Sequence, residues 1–440
     1  MATAAPRKGK GARARILVSN RATEGGRAIG ERATTVYRPE AFLLPAGVLY
    51  MDGNSLGPLT RAGLDQVERA LDDWRRLAVA GWSDASPPWY TWPEALAATL
   101  AERLLGALPA EVAVTAQTTI NLHHLLATFY RPSGERTRLV LDALAFPTDR
   151  YAAEATLDRL GRPAADLVVV PSRDGRTLAI ADLLDAIDER TAVAVLPSVL
   201  YRSGQLLDLE ALAARARAVG AFLLLDLSHS VGILPHRLHA WGVDGAVWCN
   251  YKYLSAGPGA IGGLFLAARH HGARPALAGW WGSDKRRQFA MQATMAPAPD
   301  AGRFQIGTPP ILALAPLAGS LELFAEVPIE AVREASLALT GRLIARADER
   351  LGPLGVRVGT PRTEAARGGH VALEHPQARR ISRALRRIGV VPDFRPPDVV
   401  RLCPNPFYHR PEDVDRAIEA VAEVIADRLH EEVEGDDDVT

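Results

Sequence analysis

Two neighbouring stretches, LLLDLSHSVG at 223–232 and GAVWCNYKYLSAGPGAIGG at 245–263, decide how this chain folds. In the first, an apolar strand ends in an acid, Asp226, and His229 follows three residues later. In the second, an apolar strand runs into Lys252, which has a tyrosine on each side. An acid at the end of one strand and a lysine just after the next are typical of enzymes that use pyridoxal phosphate (PLP).

The acid and the lysine have separate parts in that chemistry. A lysine buried behind an apolar strand has a lowered pKa and can form a Schiff base with the cofactor, which is the role we predict for Lys252. An acid keeps the pyridinium nitrogen protonated, and we predict this role for Asp226. The alternatives are a surface lysine at a strand end and a turn or helix-capping acid. The apolar residues before Asp226 favour a strand terminus.

The composition limits the class of protein. The chain has 440 residues, 48% of them hydrophobic and 23% charged, which is enough for a large core and two or three domains. Basic and acidic residues both number 51, and this balance argues against a nucleic-acid partner. We find no apolar run of about 18 residues and expect no membrane span. Two cysteines, Cys249 and Cys403, exclude a disulfide scaffold and indicate the reducing cytoplasm.

The two ends of the chain are charged. RKGKGARAR at 7–15 is basic and lacks acids, as in a transit peptide or a disordered basic arm, and we favour the arm. EEVEGDDDVT at 431–440 is acidic, and we predict a solvated tail.

Between residues 111 and 267 the pattern alternates between strand and helix. Seven short apolar runs predict strands: EVAVT (111–115), RLVLDA (138–143), DLVVVP (166–171), TAVAVLP (191–197), AFLLLD (221–226), GAVWCN (245–250) and GGLFLA (262–267). Such strands, with amphipathic helices between them, predict an α/β fold with a mostly parallel seven-stranded sheet covered on both faces. Ligands bind beyond the carboxyl ends of these strands, where Asp226 and Lys252 lie.

The chain changes character near residue 311. ILALAPLAGSLELFAE predicts a long helix, and further helices and short strands after it predict a smaller C-terminal α+β domain. The predicted organisation is an N-terminal arm (1–45), a large cofactor-binding domain (46–310), a small domain with its connecting helix (311–430) and an acidic tail (431–440).

Two motifs suggest contacts with a phosphorylated ring. VTAQTTINLHHLL at 114–126 places Thr118 and Thr119 where a strand passes into a helix, and a helix N-terminus favours an anion. The alternative is ordinary N-capping by threonine. In the motif AFPTDRY, Phe146 can stack on a planar ring and Asp149 can bond to its hydroxyl, although a phenylalanine in a loop is more often part of the core.

Two other patterns do not fit their familiar functions. AGPGAIG at 256–262 contains G-x-G-x-x-G, but GGLFLA after it predicts a strand, whereas a dinucleotide site needs a helix there. Asp226, His229, His236 and His239 have side chains that bind metals, but their spacing matches no familiar site and we expect no metal.

Arg401 is a candidate for substrate binding. It follows DFRPPDVV and precedes LCPNPFY. A fixed arginine can hold a substrate carboxylate through two parallel hydrogen bonds. The alternative is a surface ion pair with a nearby acid.

Taken together, these motifs resemble the kynureninase family. The matching segments, in that family's order between about residues 48 and 425, are YMDGNSLGPL, AFPTDRY, LLLDLSHSVG, WGVDGAVWCNYKYLSAGPGAIGGLF, LAGWWG, FQIGTPPI and VPDFRPPDVVRLCPNPFY. The resemblance implies a fold-type-I PLP enzyme of the aminotransferase class V type. It also implies a homodimer with shared active sites, which hydrolyses L-kynurenine to anthranilate and L-alanine; 3-hydroxykynurenine is a second candidate substrate.

The resemblance also implies roles for individual residues. Lys252, Asp226 and Tyr251 are the implied catalytic residues, with Tyr251 near the phosphate and helping acid–base chemistry. The other implied cofactor contacts are Thr118, Thr119, Phe146, Pro147, Thr148, Asp149 and His229, with Trp280 and Thr308 reaching into the partner subunit's site. The implied substrate contacts are Ser55, Trp82 and Arg401, of which Arg401 holds the α-carboxylate.

Three residues depart from the family pattern. Pro197 stands where a threonine or serine hydroxyl is usual, although Ser198 is adjacent. Ser283 and Trp82 each replace a histidine found in some relatives. These changes leave the preference for the aryl group of the substrate open.

Two other functions compete with this one. A cysteine desulfurase or selenocysteine lyase has the same fold but needs a nucleophilic cysteine on a mobile loop. A non-catalytic PLP-fold binding protein is the second alternative, and the joint presence of Lys252, Asp226 and Arg401 argues against it. Tryptophan catabolism, NAD supply and secondary metabolism all use the implied reaction, and the sequence does not choose among them.

Overall fold

The structure is a computed structural model that describes residues 36–433. The basic segment at 7–15 and residues 434–440 of the acidic tail lie outside the described residues, so both predictions stay predictions. Within 36–433 the chain forms thirteen strands: β1 (Leu49–Tyr50), β2 (Val112–Val114), β3 (Arg138–Asp142), β4 (Leu167–Val170), β5 (Thr191–Pro197), β6 (Phe222–Asp226), β7 (Gly245–Cys249), β8 (Gly262–Leu266), β9 (Arg357–Val358), β10 (Val371–Glu374), β11 (Val390–Val391), β12 (Asp393–Arg395) and β13 (Val399–Leu402).

Seven of these strands form the central sheet, in the order β2-β8-β7-β6-β5-β3-β4. All neighbouring pairs are parallel except the two that involve β8, which runs opposite to both β7 and β2. The predicted fold class, a mostly parallel seven-stranded α/β sheet, is confirmed. The strands are almost wholly apolar because helices cover both faces of the sheet.

Twelve α-helices accompany the strands in the described residues. Their bounds are Arg61–Leu77, Gly81–Asp84, Trp92–Leu100, Thr118–Phe129, Pro147–Arg159, Ile180–Ala186, Leu209–Val219, Leu238–Trp241, Ile311–Glu326, Ile329–Arg350, Ala378–Arg387 and Pro411–Ala426. The helix 311–326 packs against 61–77 so closely that a Cβ on Gly319 would lie 2.2 Å from the backbone of Ala62. Only glycine allows this approach.

A second, smaller sheet lies towards the C-terminus. Its strands are antiparallel, in the order β12-β13-β10-β9, and three long helices surround it. This agrees with the predicted α+β character of this region. The short strand β1, far earlier in the chain, pairs with β11 of this part, and Met51 belongs to its core. The residues next to the predicted boundary at 46 therefore pack on the smaller unit, and the domain limits themselves stay predictions.

The structure bears on two further expectations, those about cellular location and membrane spans, without settling either. Both cysteines are free and buried, and the cytoplasmic location stays a prediction. No single helix within residues 36–433 is long and apolar enough to cross a membrane. The helices Ile311–Glu326 and Ile329–Arg350 meet that criterion only as a pair, and they are bent by 87° at the break between them.

Candidate active site

The site lies where the carboxyl ends of the parallel strands meet. β6 ends at Asp226, which is in register with Pro197 at the end of its neighbour β5. On the other side β6 pairs with β7, and Lys252 follows the end of β7 by three residues. Because the strands are parallel, chain segments far apart in sequence deliver their end residues to one edge.

These strand ends and loops enclose a cavity of about 590 Å³, including the part open to solvent. Nine of the predicted site residues line it: Thr118, Thr119, Phe146, Thr148, Asp149, Asp226, His229, Tyr251 and Lys252. The separate sequence motifs that contain these residues therefore belong to one site.

Lys252 projects into this cavity beside His229. Its Nζ lies 3.0 Å from His229 Nε2 and 5.9 Å from the ring centroids of both Phe146 and Tyr251. Burial, reinforced by the charge of Lys252, lowers the pKa of His229 well below its ordinary value. The imidazole is therefore neutral at pH 7, and it can share a hydrogen bond with the amine without repelling it.

Asp226 is fixed by its own backbone turn. Its Oδ1 accepts a hydrogen bond from the Ser228 amide at 2.8 Å, and Oδ2 has no hydrogen-bond partner within residues 36–433. The carboxylate therefore has one oxygen to orient it and one available to a ligand in the cavity. This is the arrangement expected of an acid that pairs with a ring nitrogen.

Two more buried carboxyl groups, those of Asp142 and Asp149, lie at the same edge of the sheet as Asp226. Asp142 ends β3, and Asp149 lies in the first turn of the helix 147–159. Burial and the nearby charges of Asp226 and Asp142 raise the pKa of Asp149 well above its usual range. Burial also raises the pKa of Asp142 to about 6. This burial favours the protonated form of Asp149, which is a hydrogen-bond donor.

Thr118, Thr119 and Phe146 line the cavity at the starts of two helices. Thr118 and Thr119 begin the twelve-residue helix 118–129, whose first N–H groups and dipole favour an anion. Phe146 directly precedes the helix 147–159, and it is 40% exposed. A flat ring in the cavity could stack on it.

Six predicted residues do not line this cavity: Ser55, Trp82, Pro147, Trp280, Thr308 and Arg401. Ser55 lies in a loop that packs on the Lys252 backbone, because the Gly57 amide donates to the Tyr251 carbonyl at 2.8 Å. Trp82 instead joins Trp281 in an aromatic cluster, with ring centroids 5.4 Å apart.

Trp280 and Thr308 lie at the surface of the chain. Trp280 is 44% exposed, and Thr308 is exposed as well. Neither lines the cavity of its own chain, and their predicted role in a partner subunit's site stays a prediction.

Arg401 is fully buried rather than exposed in a surface ion pair. One terminal nitrogen donates to the carbonyl of Tyr201, a cavity-lining residue, and the other contacts the carboxylate of Asp393. Burial lowers its pKa to about 10, so it stays charged. Its predicted contact with a substrate carboxylate stays a prediction.

The structure shows the surroundings of Pro197 and Ser283, two of the residues that depart from the family pattern. Pro197 lines the cavity, but the Ser198 hydroxyl bonds to Ser230 Oγ at 2.7 Å and to the Asp226 carbonyl at 3.1 Å, on the far side of the strand. Ser198 therefore does not replace the hydroxyl that Pro197 lacks. Ser283 is buried in a bridge with Pro297, outside the cavity.

Several residues at the site were not among the predicted site residues. Leu144, Val199, Tyr201 and Ser228 also line the cavity, and the Tyr201 ring meets that of Phe146 edge-on at 5.3 Å. The buried ring of His370, from the smaller unit, packs edge-on against His229 at 5.7 Å. The four cavity residues each follow a predicted strand end within four residues, which is a usable signal, whereas His370 had none.

The donor set fits PLP. The cavity offers one amine for an aldehyde, one oriented carboxylate for a ring nitrogen and a helix start for a phosphate. It also contains two buried polar atoms, Asp149 Oδ2 and His229 Nδ1, that have no hydrogen-bond partner among the described residues. Unsatisfied buried groups are rare in proteins and often mark the place of a ligand.

Comparison with known proteins settles the family. A model described as the kynureninase C-terminal domain matches residues 332–421. A kynureninase of Geobacillus thermodenitrificans is 43% identical over 401 residues, which are 91% of this chain and 94% of the relative.

The chain belongs to the kynureninase family.

Solved structures show how widely the fold of this kynureninase-family chain is shared. An apo cysteine desulfurase of Thermococcus onnurineus superimposes with a TM-score of 0.74 at 17% identity, covering 88% of this chain and 97% of the other. A variant of the C-DES lyase with glycine covalently linked to its PLP cofactor gives a TM-score of 0.71 at 19% identity, covering 86% and 97%. At this identity the likeness establishes the fold alone.

The burial of Asp149 predicts that the stability of the PLP-free protein depends on pH. The unfolded carboxyl ionises near pH 4, whereas the folded one keeps its proton to a higher pH, so its burial destabilises the PLP-free protein as the pH rises above about 4. Asp149→Asn should raise the melting temperature of PLP-free protein at pH 8 by roughly 2 °C or more, and by less at pH 4.5. Thermal unfolding at the two pH values measures this.

The matched control is Asp158→Asn, an exposed acid on the same helix. It should change the melting temperature little at either pH. A destabilised Asp149→Asn protein at pH 8, or a change that is equal at both pH values, would contradict the account.

Proposed function

We propose that this chain hydrolyses L-kynurenine to anthranilate and L-alanine with PLP as its cofactor. One observation carries the proposal: the side chains that a PLP reaction needs converge on one cavity in a chain 43% identical to a kynureninase. Water is the second substrate, and the bond that breaks joins the β-carbon to the aryl ketone carbon. 3-Hydroxykynurenine is a second candidate substrate.

Each residue has a task that follows from its surroundings. Bound PLP withdraws electrons from the α-carbon of the amino acid, and Asp226 is placed to keep the ring nitrogen protonated. Lys252 holds the cofactor and then takes the α-proton, with the neutral His229 imidazole 3.0 Å from its Nζ. Phe146 would pack on the ring, and the Asp149 carboxyl would form a hydrogen bond with the ring oxygen.

Tyr251 is the proposed acid at the ketone. Burial raises the pKa of Tyr251, so its hydroxyl keeps the proton at neutral pH and can donate it to a ketone oxygen. The first residues of the helix 118–129 bind the phosphate through their N–H groups and the hydroxyls of Thr118 and Thr119.

The cysteine-based rival has no suitable nucleophile. Cys403 is fully buried, and burial raises its pKa to about 12. Cys249 is buried within β7. A desulfurase needs a thiol that can ionise and move, and neither cysteine meets that need.

The direct test is turnover. Purified protein loaded with PLP should release fluorescent anthranilate from L-kynurenine, and Lys252→Ala should lose at least about a thousandfold of that rate because base and cofactor anchor are both removed. Arg380→Gln, at an exposed position, is the matched control and should retain the rate. A PLP-loaded protein that cleaves neither kynurenine nor 3-hydroxykynurenine would refute the proposal, and sulfide release from cysteine would favour the rival.

We also propose that the active unit is a homodimer. Exposed Trp74, Val79 and Leu312 line an apolar surface groove that also contains Trp82. Exposed apolar surface of this kind is typical of protein interfaces. A second copy on this face would cover the groove, and Trp280 and Thr308 of each protomer would reach the partner's cavity.

Mixing two inactive variants tests the dimer. Lys252→Ala and Trp280→Ala should each be nearly inactive alone, and after subunit exchange the mixture should regain about one quarter of the wild-type rate. Half of the dimers are then hybrids, and one of their two sites has both residues intact. Mixtures that exchange subunits without regaining activity would contradict shared sites.

A further inference from the structure

Two buried histidines pack against each other beside Lys252. His229 lies in the turn after β6, and His370 directly precedes β10 of the small sheet. Their rings meet edge-on, with centroids 5.7 Å apart and an angle of 60° between the planes. His370 is wholly buried. The contact therefore joins the smaller unit to a side chain that touches the Lys252 amine.

The contact with Lys252 fixes the position of the proton on His229. In its cationic form Lys252 can only donate hydrogen bonds, so His229 Nε2, 3.0 Å from its Nζ, must accept. The imidazole is neutral, because burial and the charge of Lys252 lower its pKa well below the ordinary value. Its single proton is then on Nδ1. Whatever accepts the Nδ1–H therefore decides which nitrogen of His229 faces Lys252.

Three buried nitrogens at this contact are unsatisfied. Neither His229 Nδ1 nor either ring nitrogen of His370 makes a hydrogen bond within residues 36–433. Buried polar atoms without partners are rare in proteins. Three of them on two packed rings indicate an interaction between the rings, made directly or through one ordered water.

The His370 ring can supply the acceptor. A Cβ on Gly204 would lie 3.2 Å from His370 Nε2, so this nitrogen faces the turn that contains Tyr201 and Gly204. The Tyr201 carbonyl favours a proton on the ring, but burial and the charges of Arg401 and Lys252 lower the pKa of His370 well below its ordinary value. The ring is therefore neutral. With its one proton on Nε2, its Nδ1 is an acceptor.

We propose that His370 is a positioning residue for the chemistry at Lys252: its Nδ1 accepts the N–H of His229, directly or through one water, and so keeps His229 Nε2 as the acceptor that faces the lysine. His370 does not itself line the cavity. The inference rests on the proposed function only in requiring PLP on Lys252. An acceptor fixed beside Nζ favours the protonated state of the nitrogen that joins Lys252 to the cofactor.

The experiment follows the protonation of bound PLP by its absorbance as the pH is varied, which needs no turnover. His370→Leu fills roughly the same space without an acceptor. It should lower the midpoint pH of the transition by about 0.5 to 1 pH unit, the equivalent of one hydrogen bond. His370→Gln keeps an acceptor and should lower the midpoint by less than half as much.

A double substitution shows whether His370 acts through His229. In a His229→Leu background, His370→Leu should cause no further change in the midpoint, because the ring that it positions is already gone. Methionine replaces leucine at either position where the leucine variant does not retain PLP. His375→Gln, at the other end of β10, is the control and should keep the wild-type midpoint, because its charged neighbour is His430 and not a cavity residue.

The surrounding charges are the same in all of these variants. The titratable and charged groups that face Lys252 and the two histidines are Asp149, Asp226, Tyr251, Arg395 and Arg401. None of them is substituted, so a change in the midpoint reports on the histidine pair.

Three results would overturn the inference. The first is a wild-type midpoint in His370→Leu. The second is an equal change in His370→Gln and His370→Leu, and the third is an undiminished effect of His370→Leu in the His229→Leu background; both indicate a purely structural role. The proposed reaction fails separately: if the midpoints change as expected but the wild-type protein releases no anthranilate, the reaction is refuted and the role of His370 stands.

Discussion

The parallel pairing of β5, β6 and β7 is the constraint on which the rest of the site depends. Their register places Asp226 at one strand end, next to Pro197 on the neighbouring strand, and brings Lys252 to the same edge. A single strand could not hold either side chain at this edge by itself, because each strand is held by its neighbours. The cavity exists because several chain segments end at this edge and the next helices begin there.

The convergence of these chain segments also buries charged groups that water would otherwise solvate. Asp142, Asp149 and Asp226 are close enough that the pKa of Asp149 rises well above its usual range. On the opposite side, Arg395 and Arg401 share Asp393. A cationic ring nitrogen near the acids and an anionic substrate near the arginines would balance these charges. The site is in this sense built for ligands of defined charge.

The sequence predicted those parts of the site that depend on local pattern. Apolar runs between turn residues marked all seven strands, and Asp226 and Lys252 could be placed because each follows such a run directly. The orientation of Ser198 could not be predicted, since the two faces of a strand end look alike in a sequence. His370 comes from the smaller unit, more than a hundred residues after Lys252, and only the packing of the two units shows that its ring meets that of His229. The roles of Trp280 and Thr308 stay predictions, because they concern a second copy of the chain.

The central claim is that Lys252 is the residue that holds PLP. The chain has only four lysines, Lys8, Lys10, Lys252 and Lys285, and Lys285 is paired with Glu94 at 2.6 Å. Borohydride reduction of the PLP-loaded protein, followed by peptide mass mapping, reads the attachment point directly. The account predicts one pyridoxyl group per chain on the peptide that contains Lys252. A label on Lys285 or on the N-terminal lysines, with Lys252 unmodified, would contradict it.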